Sequence, residues 1–289
     1  MPYFYLACAV CCATGTNVFG AYHNHKNDSK TDSTAQYNLL LAISSFLCWM
    51  VMFCFDCEFK ASILPYSIGF SLFYTLCNVA YIKALKVGPA SLTSLFASMA
   101  LLGVTVWGFI FWDAPVETIG IIGIVLTAIS IFLCLYEGKN AEEKSFSFKW
   151  LFWAAMSFLG NAGCTIVQRT QQMAYDGKYG SGLMMYALLF SVLINLALWL
   201  KGDTSDGKRM LKKFGVFPLG AGMTNFGQNI FIILLASTTL SPGIIYPVVG
   251  VGVLMLTTLF TVVVLKEKLK LWQWFGLIVG MTAILLLSL

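Results

Sequence analysis

Long stretches without a single Asp, Glu, Lys or Arg constrain this chain more than any other feature. The charge-free runs are 1–25, 33–55, 61–82, 87–112, 118–136, 150–168, 179–200, 214–265 and 271–289. A helix that crosses a bilayer needs roughly 17–25 predominantly apolar residues. Eight of these runs have the length of one such helix, and 214–265 has room for two. Within it, Thr238-Thr239-Leu240-Ser241-Pro242-Gly243 marks a break. Proline has no N–H to give and is tolerated at a helix start, so a new helix is predicted from Pro242. The count is ten spans. Composition agrees: 58% of residues are hydrophobic and 11% charged, against roughly a quarter charged in soluble domains. That balance excludes a soluble globule, a disordered chain and a disulfide scaffold.

Residues 1–25 lack a charged leading segment and run directly into Tyr22-His23-Asn24-His25-Lys26, so they read as a first span and not as a cleaved leader. Most of the nine cysteines fall inside spans. Cys54 and Cys57 have CxxC spacing, but no second pair or partner His stands near them in sequence. They read as reduced, packed thiols, with no metal and no cofactor implied.

Lys and Arg set the orientation. Loops after odd-numbered spans hold 15 of the basic residues and loops after even-numbered spans hold 3, Lys60, Arg169 and Lys178. Cytoplasmic loops carry the excess of Lys and Arg, which predicts odd loops inside and both termini outside. The net charge of +5 is then a topological signal, and no nucleic-acid partner is expected.

The chain reads as a duplication. The polar connector 138–149 divides it into 1–137 and 150–289, each with five spans. Sliding one half on the other so that Pro89 meets Pro242 also superposes Thr105 on Thr258 and Gly123 on Gly276. An odd number of spans per repeat turns the second copy upside down. The expected fold class is an all-α integral membrane protein of ten transmembrane helices in two inverted five-helix repeats. Such repeats are a common plan of secondary transporters, which bind substrate near the midplane between them.

Polar residues inside spans indicate which helices face a cavity. Tyr74, Asn78 and Tyr81 share one face of span 3, and span 4 carries Ser91, Ser94, Ser98 and Thr105 on one stripe. Span 6 has Asn161, Thr165, Gln168 and Gln172, and span 8 clusters Asn225, Gln228 and Asn229. Span 1 offers Thr14 and Asn17, and span 9 offers Tyr246, Gly250 and Thr257. Spans 2, 5, 7 and 10 are plainer, Asn195 in span 7 excepted. The candidate cavity residues are therefore Thr14, Asn17, Tyr74, Asn78, Tyr81, Ser94, Ser98, Asn161, Thr165, Gln168, Asn225, Gln228, Asn229 and Tyr246. A packing role competes at each one: Ser and Thr bond back to their own helix, and amides glue helices together. An unpaired amide in hydrocarbon costs several kcal/mol, however, and so demands a partner or a wet cavity.

No Asp or Glu falls mid-span, which counts against a proton-for-cation exchange through a buried carboxylate. Arg169 and Lys83 lie near span ends and read as snorkelling cations. In the competing reading Arg169 meets a substrate carboxylate. His23 and His25 read as solvated in the polar loop after span 1. No enzyme motif is present: there is no GxSxG, no GxxxxGK[ST] and no HExxH. Gly276-Leu277-Ile278-Val279-Gly280 reads as close packing within the monomer.

The stretch Leu265-Lys266-Glu267-Lys268-Leu269-Lys270-Leu271-Trp272-Gln273-Trp274-Phe275-Gly276 resembles the Glu-Arg/Lys-Leu turn and following glycine of EamA-like members of the drug/metabolite transporter superfamily. Lys266 stands where that pattern commonly has Gly, and the first-half counterpart, Asp113-Ala114-Pro115-Val116-Glu117, departs from it. The resemblance implies a carrier whose cavity is lined by the first, third and fourth helices of each half. A neutral cavity lined by amides and tyrosines suits a small polar neutral or zwitterionic metabolite such as an amino acid. The expectation is a bacterial inner-membrane exporter with a small-molecule substrate, the lipid bilayer as its surroundings and a coupling proton or ion. The alternatives are a multidrug exporter of lipophilic cations and a non-transporting membrane scaffold or sensor. Pro89, Pro242, Pro247 and Gly250 are the expected hinges.

Overall fold

A backbone in hydrocarbon must satisfy its own N–H and C=O groups, and uninterrupted apolar runs do so as helices. The computed structural model describes residues 2–26, 33–112, 118–135, 147–202, 211–212, 214–236 and 242–286. Among these lie eleven α-helices and one turn of 3-10 helix, Ala61–Ile63, with no strand. The helices are α1 Pro2–Lys26, α2 Thr34–Asp56, α3 Leu64–Val87, α4 Ala90–Ser98, α5 Ala100–Phe111, α6 Thr118–Leu135, α7 Phe148–Ala174, α8 Gly180–Lys201, α9 Val216–Ala236, α10 Pro242–Val263 and α11 Leu271–Leu286. By length and apolar composition α1, α2, α3, α7 and α8 can cross a membrane.

Helix ends fall where backbone chemistry demands them. Cys57 closes α2 in the left-handed region (φ 47°), its N–H on Phe53 O at 2.7 Å. Gly88 is extended after α3, and Pro89 then caps α4 without needing a donor. Pro242 opens α10 as the sequence predicts.

The ten expected spans thus correspond to eleven helices among the described residues because the fourth is broken. Met99, at φ −71° and ψ 0°, separates α4 from α5. The side-chain amide of Asn161 on α7 donates to Ala97 O at 2.8 Å, just before the break. A polar side chain from a neighbouring helix is a recognised way to satisfy a carbonyl beside an interrupted membrane helix. In contrast, α10 runs unbroken through Pro247 and Gly250.

With α4 and α5 taken as one span, the principal packing pairs are related by exchange of the two halves. α1 packs on α9 as α3 packs on α7; α2 on α9 as α8 on α3; α1 on α10 as α7 on α4 and α5. α2–α8, α6–α11 and α4–α10 map onto themselves. Glycines set the closest of these approaches. A Cβ on Gly15 of α1 would stand 3.0 Å from Thr224 of α9, and one on Gly163 of α7 would run into the ring of Phe73 of α3. Gly160 meets the backbone of α3 itself, its ideal Cβ 2.6 Å from Cys77 N. Without a hydrophobic force between helices, small residues at crossings let dispersion and polar contacts hold them together.

Hydroxyls stitch the seams between halves. Ser45 Oγ donates to Gly222 O at 2.8 Å and Ser44 Oγ to Leu219 O at 2.9 Å. Thr75 and Ser191 share a 3.0 Å bond beside Asn195, whose amide donates to Ser191 O at 2.8 Å. Asn195 therefore glues helices. Ser130 Oγ of α6 donates to Gly276 O of α11 at 2.6 Å, and Gly280 packs beside the same hydroxyl. The GxxxG face is spent inside the chain.

One expectation is overturned here. His23 is not solvated. α1 continues to Lys26, and the imidazole is fully buried, its ring 4.7 Å from that of Tyr37 and edge-on to Phe214 and Phe217. Both of its nitrogens lack a hydrogen-bond partner. His25 is exposed.

Candidate functional site

The polar face of α3 is the axis of the candidate site. Positions 74, 78 and 81 recur at helical spacing, so one face carries all three side chains. Tyr74 is buried and its hydroxyl donates to Asn225 Oδ1 of α9 at 3.3 Å, joining the two halves. Asn78 and Asn229 each turn back to the carbonyl four residues earlier, Tyr74 O and Asn225 O, both at 2.8 Å. These two amides are the same device on the two helices that exchange with one another. The buried Tyr81 shares a 3.0 Å bond with Ser94 Oγ of α4.

Other predicted residues take different positions. Asn161 braces the break in the fourth span. Thr165 Oγ1 bonds back to Asn161 O at 3.1 Å. Thr14 Oγ1 is buried without a partner. Asn17, Ser98, Gln168 and Gln228 are half-buried, and their side chains form no hydrogen bond among the described residues. Gln172 is exposed. The side chains of Tyr246, Pro242, Pro247 and Thr105 lie outside the described residues. The site therefore ties α3 to α9 and to α4, and α7 to α4, and leaves four polar side chains half-accessible on α1, α5's neighbour α4, α7 and α9.

The two deep cations stack on indoles. Lys83 Nζ lies 4.5 Å from the Trp153 ring centroid and the Arg169 guanidinium 5.1 Å from Trp112. Arg169 is exposed. Among the described residues it is the aromatic face, and no acidic partner, that holds each in place at the span end.

Sequence reasoning missed three features. Thr16 Oγ1 meets Thr224 Oγ1 at 3.0 Å across the α1–α9 crossing. Thr258 of α10 is buried with an unpartnered hydroxyl, as is the neighbouring Thr257 that the sequence did offer. Most consequential is Glu267, which the sequence leaves in a loop. Its Oε2 accepts from Ser91 N, in the first turn of α4, at 3.2 Å. Around that turn, Trp150 of α7 packs against Gly88 and donates through Nε1 to Thr93 Oγ1 at 2.9 Å.

With this geometry in place, similarity to known proteins becomes informative. Residues 2–136 match the model of the EamA-like transporter family. Over its first half this chain is EamA-like. That model describes a family of transporters, and α1, α2, α3, α7 and α8 are long and apolar enough to cross a membrane. No curated protein matches the sequence. Among solved structures, a crystal structure described only as that of a protein superposes with a TM-score of 0.57 at 11% identity, covering 96% of this chain and 95% of its own. At such identity the likeness carries the fold alone, and it does so across both halves of the chain.

Proposed function

We propose that this EamA-like protein is a secondary-active carrier that exports a small polar neutral or zwitterionic metabolite, such as an amino acid. In this reading 1–137 and 150–289 are inverted five-helix repeats joined by 138–149, both termini lie outside a bacterial inner membrane, and access alternates as the halves rock. The observation that carries the reading is the set of half-buried amides inside spans. Asn17, Gln168 and Gln228 have no hydrogen-bond partner among the described residues, and an amide facing lipid alone would cost several kcal/mol. A water-filled cavity between α1, α3, α7 and α9 removes that cost and offers donors and acceptors without net charge. The exchange-related packing pairs and the Tyr74–Asn225 bond support a site shared between the two repeats. Pro89 and Pro242 open the helices that flank the cavity, while Pro247 and Gly250 lie within α10; these are the proposed moving elements.

A thermal-shift screen of the purified protein tests the substrate class, since a ligand that binds only the folded state raises apparent stability with its concentration. Stabilisation by a neutral or zwitterionic metabolite is the expected result. Stabilisation by lipophilic cations alone would replace this reading with multidrug export. For the metabolite identified, Ala at Asn78, Gln168 and Asn229 should each weaken binding while expression holds. Wild-type affinity in all three would move the site elsewhere.

A further inference from the structure

A buried polar group nearly always finds a hydrogen-bond partner, so a cluster of orphans calls for an explanation. Such a cluster lies where α1 ends and α2 begins. Both ring nitrogens of His23, Oδ1 of Asn24, the Tyr37 hydroxyl and both amide atoms of Asn38 are buried there without a partner. His23, Tyr37 and Asn38 are 0%, 1% and 2% exposed. The opposite end of the bundle is built differently. Gln171, fully buried at the end of α7, donates through Nε2 to Lys178 O at 2.8 Å. Tyr175 donates to Ser62 O at 3.1 Å, and Glu58 accepts from Tyr179 N at 3.3 Å. Of these groups, Gln171 Oε1 alone is buried and unanswered.

What covers the orphans comes from the other half of the chain. Phe214 and Phe217, around the start of α9, stand edge-on to the His23 ring at 5.9 and 6.3 Å. Tyr22 packs on the same Phe217 at 5.4 Å and on Phe260 of α10 at 6.5 Å. Asn38 lies two turns before Ser45, on the stripe of α2 that meets α9. Lys86 Nζ donates to Thr34 Oγ1 at 3.0 Å and so ties the end of α3 to the start of α2. Behind the aromatic layer the polar face of α3 begins. A Cβ on Gly20 would stand 3.5 Å from the Tyr37 hydroxyl and 3.6 Å from the ring of Tyr81, so these two tyrosines meet at the same glycine.

We propose that His23, Tyr37 and Asn38 are the gate at this end of the carrier. They line a water-filled entrance to the Tyr74–Asn78–Tyr81 face when the start of α9 swings away with Phe214 and Phe217, and they are buried only while that entrance is shut. The inference rests on the carrier reading above. Shut, the aromatic layer gains packing and excludes water, but it leaves donors and acceptors with their desolvation unanswered. Open, water answers them. The two effects oppose one another and narrow the free-energy gap between the states, which is what a ligand must bridge to shift them. A purely structural role explains less. Side chains that only held these helices together would be hydrogen-bonded, and apolar ones of the same shape would hold them as well or better.

The chain has two histidines, and His25 is exposed, so histidine chemistry tests the gate with its own standard. Full-length protein in lipid nanodiscs, without substrate, is treated with diethyl pyrocarbonate, which acylates neutral imidazole, and with N-ethylmaleimide. Fragment spectra then read His23, His25 and the buried thiol of Cys164 separately. His25 should react first and His23 more slowly but fully, while Cys164 stays unmodified and so shows that the protein has not unfolded. Asn38→Leu removes two orphans and should favour the shut state: His23 acylation should slow severalfold and the unfolding temperature should rise. A His23 that never reacts, or that reacts only in step with Cys164, overturns the proposal. So does an Asn38→Leu protein that melts earlier with His23 acylated at the wild-type rate. The wild-type reaction decides even where the variant misfolds. No readout involves transport, so an inert His23 in a working carrier sinks this inference alone. A gate that opens in a protein that moves nothing sinks the carrier reading instead.

Discussion

Two glutamates cross between the halves of this molecule, and each accepts the backbone N–H that opens a helix on the far side. Glu58, before α3, accepts from Tyr179 N at the start of α8 at 3.3 Å; Glu267, after α10, accepts from Ser91 N at the start of α4 at 3.2 Å. They lie at opposite ends. The Glu267 corner packs on Trp150 and the Glu58 corner beside Tyr175, the two ends of α7, about 37 Å apart at 1.5 Å per residue. The bonds are nearly equal in length and unequal in everything else. Glu58 is exposed and water can replace its partner at once. Glu267 keeps one oxygen buried and unpaired, and its helix turn is clamped by Trp150. Geometry alone therefore does not rank the two clasps; solvent does.

The difference can be broken most forcefully from the glycine side. At the Glu267 corner the Trp150 indole fills the place a Cβ on Gly88 would take. Gly88→Ala should therefore lower stability by about 1–3 kcal/mol through overpacking, read as a fall in the unfolding temperature of the purified protein. At the Glu58 corner nothing lies within 4 Å of a Cβ on Gly180, and Gly180→Ala should unfold no earlier than wild type. Equal losses would mean that the two corners are equally packed and that the contrast is wrong. Removing the carboxylates comes next. Glu267→Ala should cost about 0.5–2 kcal/mol, the usual range for a lost helix cap. Glu58→Ala should leave the melting curve unchanged.

A smaller effect, of opposite sign, tests how the Glu267 turn is held. Lys266 carries a left-handed backbone that disfavours any Cβ. Lys266→Gly should stabilise the protein by up to about 1 kcal/mol, even though Gly loses more freedom on folding. A loss of stability would show that the lysine side chain contributes more than its backbone strain costs. Ionic strength gives the subtlest test. Raising salt from about 0.1 to 1 M shortens the screening length from roughly 10 to 3 Å. Exchange at the first turn of α8 should quicken with salt, and that at the first turn of α4 should not.

The apolar helices were legible because hydrocarbon forbids charge, and charge avoidance leaves a one-dimensional mark. The break at Met99 left none. Residues 94–102 contain no Pro or Gly, and the amide at the break comes from Asn161, on another helix and far along the chain. His23 was misread for the same reason: its polar neighbours in sequence suggested water, whereas Tyr37, Phe214 and Phe217 arrive from elsewhere to enclose it. Of the candidate site, the Tyr74, Asn78 and Tyr81 face was readable from spacing, and its match to Asn225 and Asn229 from the repeat. Glu267 was not, because its reach depends on a positive φ at Lys266. The same φ gives a physical reason for glycine at that place in the family pattern.

In the rocking motion proposed above, the glycine crossings of α1 with α9 and of α7 with α3 would serve as the two bearings, and they are not equally tight. At the α1–α9 crossing Gly15, Gly220 and Gly227 meet side chains, those of Thr224, Phe19 and Cys12, whereas at the α7–α3 crossing Gly160 is pressed against the backbone of α3 itself, which cannot yield. A machine whose bearings differ in slack has a preferred stroke. Wear introduced at one bearing, a methyl added at Gly15 or at Gly163, would bias it toward one resting position, so the direction in which such a variant stalls reports which bearing carries the load.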